Sequence, residues 1–340
     1  MINQGQADIT VCIVNWNTAK LLHDCLDSIY SNTWRAMLQV IVVDNYSSDD
    51  SVEMVRRDFP EVQLITNLEN EGFAKANNQA FKVASGRYVL MLNSDTLVKP
   101  GAFDTMLDFM DQHLEAGAMG CKLLNADGTL QRSCWRGFPS LRMAAIDAFY
   151  LWKLLPDLPW VRGVEISRHE LQQTIQVDHL LGACILARRE ILEQIGGMDE
   201  SIFLFFEETE WCYRMRQRGW KIYYVPTAEI VHLGQQSANL NPERNLPEKY
   251  HNYEWFFQKC MGPNPLKQGM LRAVFATAGI IRIGLWEWRG RDPVRRKFAK
   301  RMIAGYRKVV KQSFSRSVAS SLPSSKSPSS SPIAIPHNHR

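Results

Sequence analysis

At 340 residues, the chain has room for one large α/β domain with an appendage, or for two modest domains. Apolar residues make up 45% and charged residues 22%, the balance of an ordinary soluble globular protein. Its seven cysteines are scattered and show no paired short spacing, which argues against a disulfide scaffold or a zinc site and for a reducing compartment.

Ile9 to Val14 is a nearly continuous apolar run, the pattern of a strand buried on both faces. Leu21, Leu22, Cys25, Leu26 and Ile29 then recur at helical spacing. Val40–Val43 is a second strand, and Val52, Val55 and Phe59 mark a helix that Pro60 ends. Val62–Ile65 and Phe73–Val83 repeat the alternation, followed by a strand at Tyr88–Leu92 and a helix from Pro100-Gly101 to about His113. This rhythm predicts an α/β fold with a mostly parallel, Rossmann-like central sheet flanked by helices. Each apolar run ends in polar residues: Asn15-Trp16-Asn17, Asp44-Asn45, Asn67, and Asn93-Ser94-Asp95. In a parallel sheet these four segments share the carboxyl-end rim, where open α/β sheets bind ligands.

After Ala118 the pattern is less regular, and residues 135–176 give no clear elements. Val177–Ala187 reads as a strand, followed by a short helix to Ile195 that Gly196-Gly197 breaks. An acidic helix start, Glu207-Glu208-Thr209-Glu210, runs to about Arg218. Lys221–Val225 and Glu229–Val231 read as two short strands, the second ending at His232. From Asn239 the chain is helical and accessory, and beyond about Ser313 a serine/proline-rich tail is expected to be disordered. The boundaries expected are therefore 1–238, 239–312 and 313–340.

The polar stretch Met1–Asp8 has no secretory character, so a cytoplasmic location is expected. Ala273–Ile281 is apolar, but Arg282, Glu287 and Arg289 follow it, which makes it too short and too charged to span a membrane comfortably. With Trp286, Trp288 and the basic residues from Arg289 to Arg316, it fits an interfacial helix peripheral on an anionic membrane surface. The basic segment is also compatible with a solvated helix face, and no nucleic-acid partner is expected.

Asp95, between small polar residues at a strand end, can reach a hard cation such as Mg2+ or Mn2+, and Asn-Ser-Asp is equally a good turn and helix cap. His232 ends a strand, as structural histidines often do, yet an imidazole beside a carboxylate also suits manganese. Glu207, Glu208 and Glu210 complement the helix dipole, while Glu208 lies toward the inward side with Trp211, Cys212 and Met215 and is a candidate general base. No glycine-rich dinucleotide fingerprint or phosphate-binding lysine loop is present, and His23, His113, His169 and His179 lack ligand spacing.

From about Asp8 to Gln236 the chain resembles glycosyltransferase family 2, especially its bacterial rhamnosyltransferase-like members. The matching segments are Val14–Asn17, Ile41–Asn45, Asn70–Ala74 with Asn77-Asn78, Met91–Asp95, Gly182–Cys184, Gly196–Glu200, Phe206–Glu208 and Val231-His232. The resemblance implies a GT-A fold with a C-terminal helical accessory region, and an inverting sugar transfer from a nucleotide-sugar donor. The expected acceptor is a hydroxyl of a lipid-linked or cell-surface glycan, with dTDP-rhamnose or a UDP-sugar as donor and a divalent metal as cofactor. By the same resemblance Asp44, with Asn45 and the loop Asn15, Trp16 and Asn17, would line the nucleotide pocket. Gly72, Lys75 and Asn78, with Asn93 and Ser94, would border the ribose and diphosphate. Asp95 and His232 would hold the metal, Glu208 would be the base with Glu207 or Glu210 as sharers, and Gly182 and Ala183 would face the acceptor. Asn93 and Glu208 stand where many members carry aspartates, which keeps a second reading open, a lapsed transferase domain serving as a nucleotide-sugar-binding scaffold.

Overall fold

The computed structural model describes residues 7–315, apart from 34, 132–133, 136, 156–157, 159, 162–165, 167–169 and 235–240. The first four strands, β1 (Ile9–Asn15), β2 (Leu38–Asp44), β3 (Gln63–Thr66) and β4 (Tyr88–Asn93), are parallel in the spatial order β3-β2-β1-β4. Helices α1 (Ala19–Asn32), α2 (Ser51–Asp58) and α3 (Phe73–Lys82) connect them. Because successive strand side chains point to opposite faces, Ile9, Val11, Ile13, Val40 and Val42 join the core that includes α1, whereas Cys12, Ile41, Val43 and Met91 join that of α3. Burial on both faces explains why these strands are continuous apolar runs. The register sets Asn15 opposite Asp44 and Val14 opposite Asn93, so three polar strand ends meet on one rim.

The second half departs from parallel pairing. It contains β5 (Thr96–Val98), α4 (Ala102–Gln112), β6 (Ala116–Leu124), β7 (Cys134–Trp135), α5 (Leu141–Ala148), α6 (Leu151–Leu154), β8 (Ile175–Val177), β9 (His179–Leu180), β10 (Cys184–Arg188), α7 (Glu190–Ile195), α8 (Glu207–Gln217) and β11 (Lys221–His232). The full sheet order is β3-β2-β1-β4-β10-β6-β11-β5, with β8 also on β11. Strand β10 runs antiparallel to both β4 and β6, and β11 is parallel to β6. The result is a mixed sheet whose parallel half carries the polar rim.

The single strand expected over Val177–Ala187 is three, the end of β8, then β9 and β10, broken at Asp178 and at the Leu181–Ala183 turn, with β9 paired to β7 in a separate small sheet. Two further segments differ for identifiable reasons. The nine-residue β6 shows no strand pattern in the sequence because AGAMGCKLL is rich in small residues. Close covering demands them: a Cβ on Gly117 would lie 2.7 Å from the Trp220 side chain, and one on Gly120 would lie 2.7 Å from Leu180. The two short strands at Lys221 and Glu229 are one strand, β11, whose register slips between Val225 and Glu229. Pro226 falls at that slip, where a missing N–H is tolerated.

Three helices follow, α9 (Pro242–Cys260), α10 (Pro265–Arg289) and α11 (Arg296–Phe314). Tyr253, Phe257, Leu271, Phe275 and Val309 share a core with Ala144 of α5, while Trp255 and Phe256 pack with Ile202 and Phe206. The apolar run at Ala273 does not stop at Arg282. Helix α10 is continuous over 25 residues and, by length and composition, long and apolar enough to cross a membrane, contrary to the expectation from its charges. Arg282 is accommodated because it turns inward, donating to Asp147 O (2.9 Å), Ala148 O (3.0 Å) and Tyr306 OH (2.7 Å). Helix α11 reaches Phe314, so the tail expected to be disordered over 313–340 begins inside a helix; its remainder, 316–340, lies outside the described residues.

Candidate active site

Three rim segments are tied by one run of hydrogen bonds. Asn15 Nδ2 donates to Asp44 Oδ1 at 3.0 Å, and Thr18 Oγ1 donates to Asn15 Oδ1 at 2.6 Å. With that proton committed, Ser94 Oγ donates to Thr18 Oγ1 at 3.0 Å. The other oxygen of Asp44 accepts from Ser47 N at 2.9 Å. Asn17, at φ 55°, accepts from Ser48 N at 2.7 Å through its side-chain oxygen. The buried Asp44 is therefore oriented by neutral donors. Trp16 is half-buried beside this loop.

Other rim residues brace the wall around it. Asn45 uses both ends of its amide, donating to Asn70 Oδ1 and Gly72 O and accepting from Glu71 N and Asn67 Nδ2. Gly72 is required by geometry: its φ is +83°, and an added Cβ would meet Phe203 O at 2.8 Å. Lys75 pairs with Glu71 one helical turn away. Asn78 clamps the Gly196-Gly197-Met198 turn, donating to Met198 O at 2.9 Å and accepting from Met198 N at 2.8 Å. It also donates to Glu200 Oε1 at 3.0 Å. A Cβ on Gly197 would collide with the Asn78 amide, which accounts for the second glycine.

Asp95 and His232, far apart in sequence, are brought into contact. His232 Nε2 lies 3.2 Å from Asp95 Oδ1 and 3.4 Å from the Asn93 amide nitrogen, with both members of the ion-pair-like contact largely buried. The opposite ring nitrogen, Nδ1, is 2.6 Å from Gln131 Oε1, whose own amide nitrogen donates to Asn125 at 3.0 Å. Gln131 Oε1 is placed to accept a hydrogen bond from Nδ1–H, which leaves Nε2 facing a carboxylate oxygen. The gap between them can be occupied by a proton or by a cation. One carboxylate and one imidazole fit a Mg2+- or Mn2+-type ion that completes its shell with phosphate and water. Among the described residues, no group of three or more histidine, cysteine and acidic side chains forms a self-sufficient metal cage.

Glu207 and Glu208 open α8, immediately after Phe205 and Phe206, which hold φ of 69° and 77°. Left-handed backbone at bulky residues costs roughly 1–3 kcal/mol each and persists only where surroundings enforce it. Asn252 of α9 provides that restraint, with its amide donating to Leu204 O at 2.8 Å and Phe205 O at 3.2 Å, while Tyr253 packs edge-on against the Phe206 ring. Glu207 Oε2 and Glu208 Oε2 are both buried without a hydrogen-bond partner. Burial pushes the Glu208 carboxyl up to about 7, against the pull of amide hydrogens in the first helical turn. Burial, then the adjacent Glu208, holds Glu207 well above the ordinary range. Glu210 is different, since its carboxylate is gripped by Arg214 at 2.8 and 2.9 Å. Arg214 in turn donates to Ile195 O and Gly197 O, so Glu210 serves the turn and not the cleft.

Gly182 lies beside the base candidate: a Cβ built on it would be 3.5 Å from Glu208 Cγ. Ala183 O accepts from Asn93 N at 3.0 Å. Two consecutive residues thus join the Asn93–Asp95 turn to the α8 carboxyls. Thr18, Ser47, Gln131 and Asn252 carry no signal in the sequence. Each is an ordinary polar residue whose importance depends on a partner brought near by folding, as with Gln131 and His232, 101 positions apart.

Comparisons with known proteins agree with this architecture. The sequence model described as glycosyltransferase like family 2 matches residues 6–246. An N-acetylglucosaminyl-diphospho-decaprenol L-rhamnosyltransferase of Mycobacterium tuberculosis is 28% identical over 260 residues, 73% of this chain and 83% of its own. A low-salt glycan biosynthesis hexosyltransferase of Haloferax volcanii is 24% identical over 229 residues, 66% of this chain and 67% of its own. A mannosyltransferase of Pyrobaculum calidifontis, solved with GDP-Man and Mn2+, shares the fold with a TM-score of 0.55 at 17% identity, covering 91% of this chain and 88% of that one. GalNAc-T7, solved with UDP, GalNAc and Mn2+, gives 0.51 at 17% identity over 68% of this chain and 44% of its own. With the match spanning most of its length and the GT-A α/β sheet in place, this chain belongs to the glycosyltransferases of family 2.

Proposed function

We propose that this glycosyltransferase moves a sugar, with inversion, from a nucleotide-diphosphate donor to a hydroxyl of a lipid-linked or cell-surface glycan. Residues 1–238 form the transferase unit, and 239–312 form a helical accessory region that keeps the enzyme peripheral on the cytoplasmic face of the membrane. The rhamnosyltransferase relative favours dTDP-rhamnose among the donors, with UDP-sugars next. One observation carries the reading: an adjacent pair of buried carboxyls, each with an unpartnered oxygen, stands beside Gly182 at the carboxyl-end rim.

Glu208 accepts the proton of the acceptor hydroxyl as its oxygen attacks the anomeric carbon. The bond from that carbon to the donor's phosphate oxygen breaks as the new one forms, through an oxocarbenium-like transition state. Glu207 stays protonated, because two neighbouring carboxyls in a buried site do not both ionise readily. Asp44, preset by Asn15 and Ser47, presents its carboxylate to the donors of a nucleobase, and Thr18 and Ser94 transmit that order to the diphosphate side. Asp95 and His232 would hold a divalent ion, which when bound neutralises charge on the departing diphosphate. The test is Glu208→Gln, expected to bind donor like the native protein and to lose at least about a hundredfold in turnover. Near-native turnover would remove Glu208 from this role.

A further inference from the structure

The outward face of α10 carries a long exposed apolar stripe. Leu266, Met270, Ile280, Ile281, Leu285 and Trp288 are between 44% and 75% exposed. They recur at three-, four- and seven-to-ten-residue steps that keep one side of a helix, with Ala273, Thr277 and Gly284 also exposed along it. At 1.5 Å per residue the 25-residue helix is about 38 Å long, so the stripe is a long apolar face rather than scattered exposed residues.

Between Leu266 and Trp288 the helix carries four charges: exposed Lys267 and Glu287 near its two ends, and Arg272 and Arg282 between them, which turn to the protein side. Arg272 pairs with Glu254 of α9 at 3.0 Å. Arg282 donates to Asp147 O and Ala148 O, bonds Tyr306 OH, and lies 4.2 Å over the Tyr150 ring. The outward face is thus free of charge from Gln268 to Trp286. Immediately beyond it, residues 289–311 hold ten lysines and arginines against one aspartate. That excess is larger than the formal +5 of the whole chain, which leaves the remainder net negative. Val294 and Phe298 are exposed apolar residues set among those cations.

We infer that this face docks on an anionic phospholipid surface, with α10 lying in the plane of the interface and its six outward side chains entering the headgroup and acyl boundary. Charge complementarity selects the partner: an apolar stripe bordered by cations and ending in an exposed tryptophan matches a negatively charged leaflet. Packing selects the orientation. The opposite side of α10 is occupied by α5, α9 and α11, and the inward arginines keep it there, so the helix meets lipid along one face without crossing. This inference deepens the peripheral location proposed above and is independent of which carboxyl is the base.

The full-length protein is mixed, without donor, with vesicles of phosphatidylcholine alone or of phosphatidylcholine and phosphatidylglycerol in equal parts. Sedimentation and tryptophan emission are measured. The expected result is at least tenfold stronger binding to the anionic vesicles, a blue shift from Trp288, and weakening by salt. Ile281→Glu combined with Leu285→Glu changes only exposed positions; its binding is expected to fall at least tenfold with the circular-dichroism melt unchanged. Lys297→Glu with Lys300→Glu is expected to remove the anionic preference. Equal binding to both vesicles, or none, overturns the inference. So does a stable dimer in light scattering that the Glu double variant dissociates, which would make the face a protein interface. Retention in native membranes through alkaline carbonate would show a spanning helix and overturn the in-plane orientation. Glu208→Gln run in parallel should bind vesicles like the native protein, so a wrong base and a wrong docking face give different results.

Discussion

Replacing Glu208 with glutamine should make the protein more stable and less active, with both effects set by the same proton. In the native fold the Glu208 carboxyl is raised by burial from 4.5 to about 7. Between those values the folded chain holds a proton that the unfolded chain has released, so stability falls as pH rises through this window and the loss is complete above about pH 7. A shift from 4.5 to about 7 corresponds to roughly 3 kcal/mol at 1.36 kcal/mol per unit. Glutamine resembles the protonated acid in shape and does not ionise. Glu208→Gln should therefore melt with native stability near pH 4.5 and be more stable than native at pH 8, by an amount that approaches roughly 3 kcal/mol as an upper bound. Activity moves the other way. Native kcat/KM should rise about tenfold per pH unit below a midpoint near 7 and then level off, because only the carboxylate accepts the proton. The assays are thermal melts in a pH series and initial rates of nucleotide-diphosphate release over the same series. A glutamine variant that is less stable than native at pH 8, or that keeps the acidic limb of the rate profile, would refute this account.

Further expectations concern the supports of the site. Asp95→Asn should abolish the manganese-dependent part of donor binding in calorimetry, leaving the metal-free part intact. Gln131→Leu, which removes the partner of His232 Nδ1, should weaken manganese binding by roughly 10–100-fold without touching the first contact. Asn252→Leu takes away two hydrogen bonds to the strained Phe205 segment and should cost about 1–3 kcal/mol in the melt. Its kcat should fall while the donor KM is kept, and equal loss in both would mean the effect is not on the base. Gly72→Ala forces a side chain against Phe203 O at a φ of +83° and should destabilise by more than about 1 kcal/mol; a neutral melt would contradict the fit.

The parallel half of the sheet was legible because its physics is local. Strands buried on both faces must be apolar throughout, and helices must show their inward stripe, so Ile9–Val14, Val40–Val43 and Tyr88–Leu92 appear in composition and spacing alone. Polar residues at their ends predict a rim without any knowledge of what they touch. Strand β6 was not legible, since its small residues are dictated by Trp220 and Leu180, which come near only in the fold. The accessory helices show the same division: the length and apolarity of α10 are in the sequence, while the inward turn of Arg282 depends on Asp147, Ala148 and Tyr306.

What the chain's order of residues determined by itself was the alternation of elements, the rim of asparagines and aspartates, and the acidic opening of α8. Only tertiary structure decided the roles within that set. It brought His232 to Asp95, assigned Glu210 to Arg214, and left Glu207 and Glu208 each with an unpartnered oxygen. The reason is that a carboxylate's chemistry depends on its solvation and on the charges within a few ångströms of it. Those neighbours come from strands and helices distant along the chain, and their placement is a property of the folded packing.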